Sequence, residues 1–453
     1  MTRIEPTARA LAEGATTARA LVETCLARIA DPAGEGAATF RRSYAEAARA
    51  SADAIDALRR AGRAPSSYAG IPISLKDLLD VAGEPTPAGS RALADAPPAT
   101  AHAPVVARLL AAGFIPIGRT NMVEFAFSGL GINPHFGTPR APWERTAAGG
   151  RIPGGSSSGA AVSVADGMAL GAIGTDTGGS CRIPAAFCGI TGYKPTARRV
   201  PIAGVLPLSP SLDSVGPLAA SVACCAILDA VLAGEEPAPP VAAPLAGLRL
   251  AVPESLLAEG LAPEVAAAFT RALSRLEREG ARLTRLAVPE FDQVFAATAA
   301  GGLTAPESFA WHRALLAEKS ALYDPAIRAR IERGAGMSAA DYLDVLAARR
   351  RLIAAFDRRT DGFDAMVLPT APILPARIAD LVTRQEYNRV NMLTLRHTTL
   401  ANFLDRCAIS LPCHAPGEPP VGLMLMGETM GDRRLFAIAA GVEAALAAET
   451  GRP

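Results

Sequence analysis

Lysine is nearly absent from this sequence. Of its 45 basic residues only Lys76, Lys194 and Lys319 are lysines, and the other 42 are arginines. This bias suggests that arginine stands wherever a positive charge is enough, so the surviving lysines are enriched for positions at which arginine fails. Arginine cannot lose its proton in a protein, whereas a buried lysine can be neutral and act as a base. Survival by chance is the alternative until the surrounding motifs are considered.

The sequence also lacks the patterns that hold metal ions or disulfide frameworks. Its seven cysteines are odd in number and include no CxxC pair, and its five histidines are far apart and form no HExxH. Zinc ribbons and disulfide scaffolds are therefore not expected. No pattern argues for a metal site built from distant ligands. We predict that the protein uses no metal and no cofactor.

Charge and hydropathy exclude further classes of protein. The formal net charge is +1, so there is no basic field to attract nucleic acid. The longest run of small apolar residues, 159–174, is interrupted by Asp166 and is too short to cross a bilayer. Residues 1–20 carry Glu5 and Glu13 and lack the apolar segment of a signal peptide. We predict a soluble, cytoplasmic protein without nucleic-acid or membrane partners, with a homodimer as one possible assembly.

Alternating strand and helix patterns predict a layered α/β fold. The helical spacing of apolar residues predicts that residues 5–62 are helical, and an Ala- and Pro-rich linker is expected at 232–244. Strands are predicted at 71–75, 114–117, 169–175, 248–252, 366–368, 408–411 and 421–426. Helices are predicted at 103–112, 159–168, 263–279, 341–358 and 432–447. The βα rhythm continues beyond the linker, which favours one continuous sheet over separate domains.

Two segments rich in glycine and serine carry the chemical signal. They are PGGSSSG at 153–159 and GTDTGGSCR at 174–182, joined by one predicted helix and one predicted strand. That connection could bring both loops to the same sheet edge. Consecutive N–H groups in a glycine-rich loop can form a concave anion site. Thr177, Gly178, Gly179 and Ser180 therefore form a candidate oxyanion hole, with Ser180 as its nucleophile. Two tight turns are the structural alternative, and the P-loop pattern GxxxxGK[ST] is absent.

A serine nucleophile needs a proton acceptor. No histidine is close to either loop in sequence, and the GxSxG elbow is absent around Ser180. Serine–lysine chemistry is a known alternative, and Lys76 ends an apolar strand in GIPISLKD at 70–77. The strand's apolar character favours a buried lysine over a surface one.

Residues 70–77, 153–159 and 174–189 resemble three motifs of the amidase signature family. The segment GTDTGGSCRIPAAFCG, followed by Tyr193-Lys194-Pro195, is the most specific of them, and the resemblance is dense over residues 66–220. It implies a large mixed β-sheet core covered by helices on both faces. It also implies one amidase domain over residues 1–453, with an N-terminal helical region at 1–65, the signature core at 66–220 and the rest of the sheet and its helices at 245–453.

The resemblance further implies a role for each motif residue. Ser180 would be acylated, and Ser156 would connect Ser180 to a neutral Lys76 across a cis Gly155–Ser156 peptide bond. The loops would be supported by Ser157, Asp176 and Arg182, while Lys194 would be structural. Cys181 departs from the aliphatic residue usual in the family, and its side chain is expected to point away into the packing.

The implied activity is hydrolysis of a carboxylic amide, with esters and carbamates also compatible. The alternative is the glutaminase A subunit of a tRNA-dependent amidotransferase, and a remote one is a non-catalytic anion-binding protein. The segment NFLDRC at 402–407 departs from the family's usual form. The irregular stretch 122–143 supplies candidate pocket residues, namely Phe125, Phe127 and Leu130.

Overall fold

One mixed β-sheet runs through the part of the chain that the computed structural model describes, residues 1–256 and 260–450. Its eleven strands are β1 Phe40–Ser43, β2 Pro72–Lys76, β3 Ile115–Thr120, β4 Gly171–Thr175, β5 Thr191–Lys194, β6 Val215–Ala219, β7 Arg249–Pro253, β8 Arg282–Leu286, β9 Ala365–Pro369, β10 Ala408–Pro412 and β11 Gly422–Met426. Their order across the sheet is β1-β3-β2-β4-β6-β5-β10-β11-β9-β7-β8. The α/β prediction and the continuous sheet are confirmed.

Helices cover this sheet. They are α1 Ile4–Ala12, α2 Ala18–Ala30, α3 Gly36–Thr39, α4 Ala45–Arg60, α5 Pro104–Ala111, α6 Ser158–Ala165, α7 Arg182–Cys188, α8 Val222–Ala233, α9 Pro263–Arg278, α10 Pro289–Thr298, α11 Thr304–Lys319, α12 Pro325–Glu332, α13 Ala339–Thr360, α14 Arg384–Leu395, α15 Thr398–Phe403 and α16 Asp432–Thr450. Short 3₁₀ helices lie at Glu124–Ala126, Ala147–Gly149, Ser320–Leu322, Arg333–Gly336 and Ile378–Asp380. None of the helices in the described ranges combines the length and apolar character that a membrane span needs.

The strands that carry the site lie in the interior of the sheet. β2 pairs in parallel with both β3 and β4, and every residue of β2 and β4 is buried. Strands buried on both faces are mostly apolar along their length, and the small and apolar residues of β2 and β4 made both strands predictable from the sequence. Because parallel strands end at the same edge of a sheet, the last residues of β2 and β4 come together.

Helix α6 packs closely against this centre because its residues are small. Seven of its eight residues are buried, and they are Ser, Gly, Ala and Val. A Cβ atom added to Gly159 would lie 2.5 Å from the Thr39 carbonyl oxygen, a distance that no side chain tolerates. The first turn of α6 is thereby fixed next to the end of β2.

The N-terminal region is not entirely helical, contrary to the sequence prediction for residues 1–65. Residues Phe40–Ser43 form the edge strand β1, which pairs antiparallel with β3. This four-residue strand lies between α3 and α4 and carries two arginines, so its own sequence has no strand periodicity. Pairing with the exposed edge of β3 determines its conformation, which local propensity does not reveal.

Candidate active site

Lys76 lies where three of the candidate segments meet. It ends β2, and its Nζ atom donates hydrogen bonds to Ser156 Oγ at 2.7 Å and to Thr175 Oγ1 at 2.8 Å. Thr175 ends the neighbouring parallel strand β4, and Ser156 lies two residues before α6. The sheet edge thus brings together a lysine and two hydroxyl groups that are far apart in sequence.

The surroundings of Lys76 favour its neutral form. Its side chain is completely buried, and burial lowers its pKa to about 8 from the ordinary value of 10.5. The negative charge of the neighbouring Asp176 acts in the opposite direction and only partly offsets the loss of solvation. A neutral amine is therefore accessible near pH 8, which an arginine at this position would not provide.

The serine-rich segment is fixed between Lys76 and the loop that carries Ser180. The Gly155–Ser156 peptide bond is cis, as the family resemblance implied. Ser157 N–H donates to the Ser180 carbonyl oxygen at 3.3 Å, and the Ser157 hydroxyl donates to the Thr175 carbonyl oxygen at 3.3 Å. Ser157 therefore links this segment both to the Ser180 loop and to the end of β4.

Asp176 organises the Ser180 loop from the inside. Its carboxylate accepts hydrogen bonds from Gly179 N–H at 2.8 Å and Cys181 N–H at 3.1 Å, and it forms a buried ion pair with Arg182. Burial opposes its charge, but Arg182 outweighs this effect and holds the pKa of Asp176 below its usual range. Asn402 bridges the pair, donating to Asp176 and accepting from Arg182 at 2.7 Å.

The bond from Gly179 corrects one part of the predicted oxyanion hole. Because its N–H already donates to Asp176, this group is not available to a substrate oxygen. The N–H groups of Thr177, Gly178 and Ser180 form no hydrogen bond with a residue in the described ranges. The sequence could not separate these donors, since all four belong to the same glycine-rich run.

A second buried carboxylate holds the other end of the loop. Thr177 Oγ1 donates to Asp213 Oδ1 at 2.5 Å, and Asp213 Oδ2 accepts from Leu208 N–H at 3.0 Å and Ser209 N–H at 3.1 Å. Burial raises the pKa of Asp213 to about 6. Asp213 was not predicted from the sequence, because it lies outside the three motifs. Thr175 was not predicted either, although its place beside Asp176 in the most specific motif was a usable signal.

A cavity of about 610 Å³ opens beside this loop, and Ser180, Thr177 and Gly178 form part of its wall. Of the three predicted pocket residues, Phe127 lines the cavity. Phe125 and Leu130 do not line it, and those two predictions are wrong. Phe125 is buried against an aromatic cluster, with its ring 4.3 Å from that of His312, and Leu130 is fully buried in the core.

Cys181 points away from the cavity, as expected. Its side chain is fully buried, and its thiol donates to the Gly216 carbonyl oxygen at 3.5 Å. Burial raises the pKa of the thiol far above its ordinary value, so the nucleophilic thiolate is disfavoured. Among the described residues, no three His, Cys, Asp or Glu side chains gather as they would to hold a metal ion.

Comparison with known proteins is consistent with this geometry. A model of the Amidase family matches residues 20–436, which is most of the chain. The chain belongs to the amidase family. Membership makes it a hydrolase that acts on amide C–N bonds, and its architecture agrees, since a solved amidase crystal structure of 32% identity superposes with a TM-score of 0.87 over 98% of this chain and 99% of that one.

Two curated amidase-family relatives cover nearly the whole chain. The 2-amino-5-chloromuconic acid deaminase of Comamonas testosteroni is 39% identical over 94% of this chain and 92% of its own length. The glutamyl-tRNA(Gln) amidotransferase of Chloroflexus aggregans has an A subunit that is 34% identical over 95% of this chain and 93% of its own length. Relatives of both kinds match nearly the whole chain, so their names do not identify its substrate.

Proposed function

We propose that Ser180 is the nucleophile of this amidase and that Lys76 is its base, acting through Ser156. The observation that carries the proposal is the 2.7 Å contact between Lys76 Nζ and Ser156 Oγ, at a buried lysine whose pKa is lowered to about 8. A neutral Lys76 can accept the Ser156 proton while it donates a hydrogen bond to Thr175. Ser156 can then accept the proton of Ser180.

In the acylation step the Ser180 oxygen forms a bond to the carbonyl carbon of the amide. Its proton passes to Ser156, and the Ser156 proton passes to Lys76, which becomes an ammonium group. The tetrahedral oxyanion is stabilised by the N–H groups of Thr177, Gly178 and Ser180. When the C–N bond breaks, Lys76 returns its proton through Ser156 to the leaving nitrogen, so the amine or ammonia departs neutral.

Deacylation repeats the sequence with water in place of Ser180. Water attacks the acyl-enzyme carbon and its proton passes through Ser156 to Lys76. When the Ser180–acyl bond breaks, Lys76 returns that proton through Ser156 to the Ser180 oxygen, and the acid is released. Asp176, Arg182 and Asn402 take no chemical step in this scheme. They hold the loop so that Ser180 faces the cavity.

Ammonia is the first leaving group to test, because the 39% identical relative is called a deaminase. The glutaminase A subunit remains the second candidate function, and relatives of that name at 34% identity favour it. A purely anion-binding protein would not need the contact between Lys76 and Ser156.

We further propose that the chain is one domain and that it works in the cytoplasm as a monomer or a homodimer. We propose that it needs no metal or cofactor and that it binds a small amide rather than nucleic acid or membrane.

The test uses the isolated chain and a fluorophosphonate probe. We expect a covalent adduct on Ser180, located by mass spectrometry of the digested protein, together with release of ammonia or amine from amides in a panel of amides, esters and carbamates. An adduct on Cys181, or no adduct anywhere, would contradict the nucleophile assignment. Turnover of glutamine only in the presence of partner proteins would favour the second candidate.

A further inference from the structure

The charged side chains in the described wall of the cavity beside Ser180 are arginines. They are Arg330, Arg333 and Arg396, and no Asp or Glu among the described residues lines the cavity. Most of the remaining lining is apolar, including Leu212, Val294, Phe295, Leu395 and Phe403. Apolar pockets with a few polar groups are typical of small-molecule sites, and the polar groups select the ligand.

Arg330 is held by neutral partners only. Its Nη1 atom donates to the Phe127 carbonyl oxygen at 2.8 Å and its Nη2 atom to Asn388 Oδ1 at 3.1 Å, and its guanidinium lies 5.0 Å from the centre of the Tyr387 ring. Within the described ranges, no carboxylate lies within 4.0 Å of it. Arg199, which is also partly buried, forms salt bridges with Asp229 and Glu235. The charge of Arg330 is instead fixed in place without a counter-charge from any described residue.

Asn391 adds a neutral donor beside Arg330. It is 4% exposed, and its Oδ1 atom accepts from Ser128 Oγ and from Gly129 N–H, both at 2.9 Å. Tyr387 donates to the same Ser128 hydroxyl at 3.0 Å, so the acceptors here are occupied. The Asn391 NH₂ group donates no hydrogen bond to a described residue, so it is available to a group in the cavity. Since Asn391 lines the cavity, a ligand is the natural partner.

A short segment connects these groups to the reacting centre. On one side, residues 127–129 accept a hydrogen bond from Arg330 and donate two to Asn391 Oδ1. On the other side, the Gly129 carbonyl oxygen accepts from Gly155 N–H at 2.8 Å. Gly155 directly precedes Ser156. A ligand group bound at Arg330 therefore lies in the same cavity as Ser180, at a position that the backbone of residues 127–129 keeps constant.

We propose that the acyl part of the substrate carries a carboxylate, which Arg330 and the Asn391 NH₂ group bind, and carries no ammonium group. This inference rests on the proposed function, because it assigns the far end of the amide that Ser180 attacks. A guanidinium binds a carboxylate through charge-assisted hydrogen bonds. An ammonium would meet arginines and no described carboxylate, so glutamine is disfavoured against the monoamide of a simple dicarboxylic acid.

The first measurement is kinetic and compares glutaramic acid, its methyl ester and glutamine as amide substrates. We expect kcat/KM for the acid to exceed that for the ester and for glutamine by at least about tenfold. Arg330→Gln should lower the preference for acid over ester about 10- to 100-fold, and Arg330→Lys should restore part of it. Arg328→Gln is the matched control, since Arg328 lies on the same helix, pairs with Glu332 at 3.6 Å and does not line the cavity. It should keep the wild-type preference.

The second measurement does not depend on catalysis. Glutarate should raise the melting temperature of the wild type and of Arg328→Gln, should slow the labelling of Ser180 by fluorophosphonate, and should do neither in Arg330→Gln. Dimethyl glutarate should have no such effect. Glutarate binding that is equal in wild type and Arg330→Gln, or glutamine as the preferred substrate, would overturn the carboxylate assignment. Binding that depends on Arg330 without any Ser180 labelling would preserve this inference and remove the proposed nucleophile.

Discussion

Two lysines in this protein are equally buried, and only one of them has a hydroxyl partner. Lys76 ends β2 and Lys194 ends β5, with exposures of 0% and 1%. Burial is the largest cause of a lowered pKa for both, and both values fall to about 8. A buried lysine with a perturbed pKa is often taken as a mark of a functional site.

The partners of the two lysines separate them. Lys76 contacts the hydroxyls of Ser156 and Thr175, whereas Lys194 donates to the Pro195 carbonyl oxygen at 2.6 Å. A hydroxyl has a proton to give, and a carbonyl has none. The comparison teaches that a low pKa makes a lysine capable of acting as a base, and that only a proton donor within reach makes it one.

The largest expected effect comes from removing the proposed nucleophile. Ser180→Ala should abolish hydrolysis, a loss of several orders of magnitude in kcat, with unchanged circular dichroism. If Ser180 is the nucleophile, no proton transfer to either lysine can start in this variant. Near-normal turnover by the purified variant would contradict Ser180 as the nucleophile and, with it, Lys76 as the base.

Lys76→Arg tests most directly whether the residue at this position must be able to lose its proton. The variant keeps the positive charge but has no accessible neutral form, so kcat/KM should fall by well over about tenfold, which corresponds to about 1.4 kcal/mol of barrier. Lys76→Ala should harm an amide more than a matched ester, because the amide nitrogen needs a returned proton. A folded Lys76→Arg enzyme within about tenfold of wild type would rule out Lys76 as the base.

The pH dependence follows from the direction of the pKa shift. The proposed base can accept a proton only when it is neutral. The neutral fraction of Lys76 rises as the pH passes upward through its lowered pKa of about 8. We expect kcat/KM to rise about tenfold between pH 7 and 9 and then to level off. If kcat/KM stays constant across this window, the rate does not depend on the protonation state of Lys76.

Lys194→Met tests whether the second buried lysine takes part in the reaction. Methionine has similar length and no charge, so we expect activity within about tenfold of wild type and an unchanged pH profile. The Pro195 carbonyl oxygen loses its donor, which should lower the free energy of unfolding by about 1–3 kcal/mol. Urea denaturation gives the stability, and a shifted pH profile would mean that Lys194 also exchanges protons with the site.

The smallest effect is expected at Cys181. Its thiol fills a buried space and bonds weakly to the Gly216 carbonyl oxygen, so Cys181→Ala should change kcat/KM by no more than a few fold. Stability should fall modestly, because a small cavity replaces the sulfur. Loss of activity in a stable variant would indicate that the Cys181 thiol takes part in the reaction.

Local sequence was a good guide wherever a buried strand is a continuous apolar run or a helix has small-residue spacing. The ends of β2 and β4 and the start of α6 were placed within a few residues for that reason. β8 was missed because all five of its residues are half-exposed or exposed, so it has no such run. The helices that form the far wall of the cavity, α10, α12 and α14, were missed too, since their cavity-facing residues are a mixture of apolar and polar types.

By itself the sequence indicated the family and the candidate residues, through three lysines among many arginines and through the motifs that contain Lys76, Ser156 and Ser180. Only the tertiary structure decided which groups are free to act. In the folded protein the Gly179 N–H donates to Asp176, Phe125 is buried in the core, and Arg330 lies in the cavity wall. The physical reason is that a hydrogen-bond donor or a charge is available only when no neighbour has already satisfied it, and those neighbours are distant in sequence.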